Sequence, residues 1–229
     1  MNLTNPISLA ITIGGKQNAK AWYVSDAVIE PVMTERFVGS VEKGGFVNFR
    51  NITFNPHGNG THTECVGHVA KKVYSVLDCF DNYFFSAQVV SVFPEEINGD
   101  KIITKKSIEK QLSEIKNKAA LVVRTFPNTD SKLNIDYSST NPTYFSLEAI
   151  QLIVDMEIQH LVVDLPSVDR EEDAGALAAH KLFWDYPNTE FSKKTITELA
   201  FIPNSVEDGE YWINFQLAPF VNDATPSNP

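Results

Sequence analysis

Apolar positions along the chain repeat at two spacings. Runs rich in Val, Ile, Phe and Tyr occur at Ile7–Ile13, Phe46–Phe54, Phe85–Phe93, Ala119–Phe126, His160–Leu165 and Tyr211–Leu217. Gly, Pro and Asn bound them, and they predict strands. Three other segments repeat at helical spacing. Lys105–Asn117 puts Ile108, Leu112 and Ile115 on one face, beneath a solvated cover of lysines and glutamates. Ser146–Glu157 carries Leu147, Ile150, Ile153 and Val154 in the same way. Glu171–Trp184 opens with acids that suit a helix N-terminus and turns its alanines and Leu177 inward. The second helix runs directly into the short apolar strand at His160. Early hairpins followed by helix–strand alternation predict an α/β fold, a single domain with a mixed sheet. That domain spans residues 1–221. The last segment, 222–229 (NDATPSNP), reads as a polar, frayed tail.

Composition narrows the function. The chain has 229 residues, with 19 basic side chains against 29 acidic ones, a net charge of −10. That balance argues against nucleic acid and against an anionic membrane surface as partners, since both need a basic stripe. The first fifteen residues lack a basic n-region and read as a strand rather than a signal peptide. Two cysteines, Cys65 and Cys79, imply no disulfide framework and fit a reducing, cytoplasmic compartment. They also leave histidine and carboxylate as the side chains able to hold a metal.

Those side chains are concentrated in one place. Three of the five histidines, His57, His62 and His68, lie within the run N-P-H-G-N-G-T-H-T-E-C-V-G-H-V at Asn55–Val69, with Glu64 among them. In extended backbone His62, Glu64 and His68 share a face. His57 has the other parity, but Gly58 and Gly60 allow the chain to bend and fold that imidazole back. Two imidazoles and a carboxylate leave a coordination position open, the pattern of a catalytic zinc site, and manganese accepts the same ligands. Cys65 as a nucleophile is the weaker alternative, because in extended chain its side chain points away from both neighbouring histidines. His160 opens a buried strand and reads as structural. His180 follows the polar strand end Asp164–Asp169, where Ser167 or Asp169 also serves as a helix cap.

These segments together resemble the cyclase-family metal hydrolases, which include bacterial kynurenine formamidase (arylformamidase) and isatin hydrolase. The family signature H-x-G-T-H-x-D-x-P-x-H is matched by His57–His68. The segment D-x-P-S-x-D followed by a helical histidine is matched by Asp164–Asp169 and His180. A run around a late glutamate is matched by Thr195–Leu199, and the opening Leu3-Thr4-Asn5-Pro6-Ile7 is similar to the family's start. The resemblance implies a swivelling β/β/α fold. It implies a site for one or two divalent metals, Zn or Mn, on His57, His62, Glu64, His180 and Glu198, with His68 as the acid–base residue. It also implies homodimers or homotetramers. The sequence departs from the pattern at an extra residue after His57, at Glu64 in place of Asp and at Val66 in place of Pro. An insertion around Asp185–Glu190 makes Asp185 and Glu190 rivals of Glu198 as the last ligand.

The expected chemistry is hydrolysis of an amide-like C–N bond in a small molecule by metal-activated water. A lactone or cyclic-imide hydrolase and a dehydrating cyclase are alternatives on the same site. A non-catalytic metal- or small-molecule-binding protein is an alternative of another class. Trp22, Tyr23, Phe80, Phe183 and Trp184 are candidates for the apolar wall against the substrate.

Overall fold

The computed structural model describes residues 5–113, 115 and 117–229. Leu3 and Thr4 of the family-like opening, and Glu114 and Lys116 near the end of the first predicted helix, lie outside the described residues. Seven strands form the central sheet: β1 (His62–Glu64), β2 (Phe84–Val92), β3 (Ala120–Thr125), β4 (His160–Val163), β5 (Thr195–Glu198), β6 (Gly209–Asn214) and β7 (Ala224–Pro226). Their spatial order is β6-β2-β3-β4-β5-β1-β7. Neighbours from β2 to β5 run parallel, and β6, β1 and β7 join antiparallel to theirs. Every residue of β3 and β4 is buried, as parallel strands covered on both faces require.

Three helices, α1 (Lys105–Leu112), α2 (Leu147–Asp155) and α3 (Ala178–Trp184), pack in a row, α1 on α2 and α2 on α3. Thr104 and Ser146 cap the first two, their hydroxyls accepting from Ser107 N at 3.1 Å and Ala149 N at 3.3 Å. Of the predicted apolar faces, Ile108 and Leu112 in α1 and Ile150 and Ile153 in α2 are buried, while Leu147, in the first turn of α2, is exposed. Among the described residues no helix is long and apolar enough to cross a membrane.

The structure corrects the sequence reading in four places. Ile7–Ile13 forms no strand; it makes one bridge, Ala10 to Ala200, and Ile11 N donates to Thr61 Oγ1 at 2.7 Å. In Phe46–Phe54 only Arg50–Thr53 is extended, paired with Val28–Pro31 in an exposed arm outside the main sheet. The third helix begins at Ala178 rather than Glu171. Ala174, Gly175 and Leu177 have positive φ, which breaks a helix there, and Glu171 instead accepts from the backbone of Ser139 and Asn141. The segment 222–229 is not a frayed tail. β7 pairs with β1, Pro229 O accepts from Leu9 N at 3.0 Å, and the Thr225 hydroxyl donates to Ala218 O at 2.6 Å.

Candidate metal centre

Strand β1 is three residues long, polar and wholly buried. Alternation along it puts His62 and Glu64 on one face and Thr63 on the other. Thr63 Oγ1 lies 2.7 Å from Thr197 Oγ1 and 2.9 Å from Ser227 Oγ, a stitch across β5, β1 and the segment after β7. The β1–β5 register sets Glu198 directly opposite His62, so both share the site face, and His62 Nε2 lies 3.6 Å from Glu198 Oε2.

The loop before β1 returns His57 to the same face. Asn55 Oδ1 accepts from His57 N at 2.9 Å and Gly58 N at 3.0 Å, and Gly60 turns the chain at φ 70°. A Cβ at Gly58 would meet Val24 at 2.6 Å, so that glycine serves close packing rather than a left-handed turn. His57 Nδ1 ends 3.0 Å from Glu64 Oε2. After β1 the chain leaves extended geometry and turns through Val66–His68, so His68 arrives by a helical turn and not by strand parity. Its Nδ1 lies 3.8 Å from Glu64 Oε2, with its ring 4.3 Å from that of His57. Helix α3 supplies His180, whose Nε2 lies 3.0 Å from Glu64 Oε1 and 3.5 Å from Glu198 Oε1. All six residues singled out in the sequence therefore meet around Glu64.

Two aspartates complete the cluster. Asp169 accepts from Ala179 N, His180 N and, at 2.6 Å, His180 Nδ1, so it caps α3 and orients its imidazole at once. Asp223, just before β7, has Oδ2 2.8 Å from His57 Nε2. It belongs to no sequence motif, and the pairing of the C-terminal segment with β1 is what brings it here.

The charge balance calls for cations. Burial opposes the negative charge of Glu64, yet the imidazoles of His68, His180 and His57 outweigh it and hold the carboxyl well below its usual range. Burial likewise opposes a charged His57, but hydrogen bonds to Asp223 and Glu64 push its pKa up to about 10. His180, completely buried, is raised against its own desolvation by Glu64, Asp169 and Glu198. Carboxylates that hold protons on imidazoles this firmly hold a divalent ion in their place, with release of those protons. His62 Nε2 supplies the fit test. It is buried with no hydrogen-bond partner among the described residues, a loss of about 1–3 kcal/mol unless something binds it, and it faces Glu198. Two overlapping donor sets, His57–Glu64–His68 and His62–Glu64–Glu198, share Glu64 and fit one or two ions of the kind that imidazole and carboxylate hold.

The other candidates lie elsewhere. Asp185 accepts from Asn188 and Thr189, and Glu190 from the Tyr74 hydroxyl, so neither rival of Glu198 reaches the cluster. Asp164 is buried against Lys132 at 2.8 Å and Thr125. Cys65 is buried, its thiol on Tyr74 O. His160 sits among Phe80, Phe85 and Phe215 with Nδ1 2.8 Å from Thr195 Oγ1. Phe80, Phe183 and Trp184 are core residues and cannot wall a substrate. Tyr23 is exposed and Trp22 partly so; their segment runs beside the site, with Ala21 N donating to Gly58 O and Trp22 packed against the small cluster of Ala21, Tyr137 and Leu199.

The family described as putative cyclase matches residues 1–170, a span that holds His57, His62, Glu64 and His68 and stops before His180, Glu198 and Asp223. No curated protein sequence matches the chain. Among solved structures, a potential metal-dependent hydrolase with cyclase activity superposes with TM-score 0.69 at 13% identity, over 97% of this chain and 94% of that one. A predicted metal-dependent hydrolase from Bacillus stearothermophilus gives 0.64 at 14%, over 97% and 95%. Isatin hydrolase A from Labrenzia aggregata, bound to benzyl benzoate, gives 0.65 at 14%, over 97% and 91%. At these identities the likeness is one of fold.

Proposed function

The chain belongs to the putative cyclase family, and from that premise we propose that it is a metal-dependent hydrolase cleaving an amide-like C–N bond of a small molecule, in the manner of an arylformamidase. The observation that carries this reading is the orphaned, buried His62 Nε2 facing Glu198 beside the shared carboxylate Glu64. His57, His62, Glu64, His180 and Glu198 would hold one or two divalent ions, zinc or manganese. Such a centre makes a water acidic, toward a pKa of about 7, and polarises a carbonyl.

The chain's own residues do the rest. His68 is the least buried imidazole of the cluster, its side chain 28% exposed. Its Nδ1 faces Glu64 and Asp223, which leaves Nε2 to take a proton from water and return it to the leaving nitrogen. Trp22 and Tyr23 offer an aromatic edge to a substrate ring. Isatin is itself a cyclic amide, so the isatin hydrolase among the structural neighbours favours ring-opening of a cyclic amide as the second reading. The reduced thiols fit a cytoplasmic setting, and a homodimer or homotetramer is the expected assembly.

A chelator should abolish activity against a panel of N-formyl anilines, isatin-like rings and lactones, and added Zn²⁺ or Mn²⁺ should restore it. Full activity in metal-free protein ends the proposal, and bound metal without turnover on any member leaves a binding protein. His68→Ala should keep its metal and lose turnover by about 100-fold or more. If that variant loses metal instead, His68 is a ligand.

A further inference from the structure

Three imidazoles of the cluster share one arrangement. Each turns one nitrogen toward Glu64 or Glu198 and sets the other on an oxygen outside that pair. His180 has Nε2 3.0 Å from Glu64 Oε1 and Nδ1 2.6 Å from Asp169 Oδ2. His62 has Nε2 3.6 Å from Glu198 Oε2 and Nδ1 3.2 Å from Gly60 O. His57 has Nδ1 3.0 Å from Glu64 Oε2 and Nε2 2.8 Å from Asp223 Oδ2. An imidazole that donates its outer N–H to an oxygen is fixed in orientation and tautomer, with a lone pair on its inner nitrogen.

The third outer acceptor, Asp223, is held there by its own backbone. Asp223 O accepts from Cys65 N at 3.0 Å, and Asn222 O accepts from Val76 N at 2.9 Å. Gly67, in the histidine run itself, makes the approach possible. A Cβ at Gly67 would stand 2.9 Å from Asp223 Cβ and 2.6 Å from Tyr74 O. Asp223 Oδ2 is also 3.6 Å from His68 Nδ1, too long for a direct hydrogen bond, so its short contact is with His57.

Resting on the reading of this cluster as a metal centre, we propose that Asp223 is a positioning residue. It accepts the Nε2–H of His57, keeps that proton on Nε2, and so presents the Nδ1 lone pair to a divalent ion beside Glu64. The C-terminal strand is thereby part of the metal centre. Asp223 acts through His57 and touches neither ion nor substrate.

The test uses the full chain and Zn²⁺ alone, with affinity read by competition against a chromophoric chelator. Asp223→Ala should weaken zinc binding about 10- to 100-fold. Asp223→Asn is isosteric and keeps an amide oxygen as acceptor, so it should fall between Asp223→Ala and wild type, and it stands in if Asp223→Ala does not fold. Imidazole ¹⁵N spectra of the zinc-loaded wild type should show His57 protonated on Nε2. In a His57→Ala background Asp223→Ala should cost nothing further, which a merely structural role would not produce. Zinc affinity within about twofold of wild type in both Asp223 variants overturns the assignment. So does a full additive loss in the double variant. If the wild type itself binds no Zn²⁺, the metal-centre reading falls and this one with it; a zinc-binding wild type with unaffected variants removes Asp223 alone.

Discussion

Burial makes opposite demands on the histidines of this chain. His57 and His180 are buried among carboxylates, which raise their pKa values against the cost of burial. His160 is buried among aromatic rings with one hydroxyl partner, and desolvation lowers its pKa to about 4, from an ordinary 6.5. The sign follows from which state binds the proton. Above pH 6.5 His160 is neutral whether folded or unfolded. As the pH falls from there toward about 4 only the unfolded chain takes up the proton, so the fold loses about 1.4 kcal/mol per pH unit, about 3 kcal/mol across the window. His160→Phe removes this contribution. The unfolding free energy of wild type relative to His160→Phe, from urea titrations at a series of pH values, should therefore fall by about that amount on acidification and level off below. A difference that stays flat would show that His160 is not held neutral. His160 was legible as structural from its place at the head of an apolar strand. His57, His62 and Glu64 were legible because a short, dense run of ligand types needs no knowledge of tertiary contacts. Asp223 was not, since its partner lies 166 residues away and nothing around it in sequence differs from an ordinary polar terminus.

At the scale of elements, the pattern of apolar residues found those whose burial is hydrophobic and missed those whose burial is polar. β2, β3, β4 and α2 carry their signal in Val, Ile and Leu. β1, β5 and β7 read His-Thr-Glu, Thr-Ile-Thr-Glu and Ala-Thr-Pro, and their polar groups are buried against one another and against the site, Thr63 on Thr197 and Ser227, and His62 facing Glu198. Glu171 shows the reverse case, an acid placed as though to begin a helix and drawn instead to the backbone of Ser139 and Asn141. The two faces of β1 are separable by mutation. Thr63→Val keeps the shape of the side chain but leaves the Thr197 and Ser227 hydroxyls without their partner, on the face away from His62 and Glu64. That should cost about 1–3 kcal/mol, seen as a fall of several degrees in Tm. Metal content per chain should not change. A variant that loses metal in proportion to stability would mean that the stitch, and not the register alone, holds the ligands in place.

For the whole molecule, the arm that runs from Val28 to Thr53 gathers many of the exposed apolar side chains. Phe46, Phe49, Ile52, Met33, Val41 and Val47 are all exposed on it, Phe46 completely. Its strands, Val28–Pro31 with Arg50–Thr53 and Met33–Thr34 with Phe37–Val38, pair with each other and not with the main sheet. So much exposed apolar surface on one element is what an assembly interface presents. The net charge of −10 bears on this as well. Two such chains repel over their general surface, so an interface must supply local apolar burial to overcome that repulsion. Closed two-fold association would set the same arm residues against each other or against one other patch on the partner. Sedimentation of the wild type should give a mass of at least twice 25.6 kDa. The double variant Phe46→Asp/Ile52→Asp should sediment as a single chain, with its far-UV spectrum and metal content unchanged because the arm lies outside the main sheet. A monomeric wild type would remove the arm as an interface between copies, and an undissociated variant would move that interface to another face of the molecule.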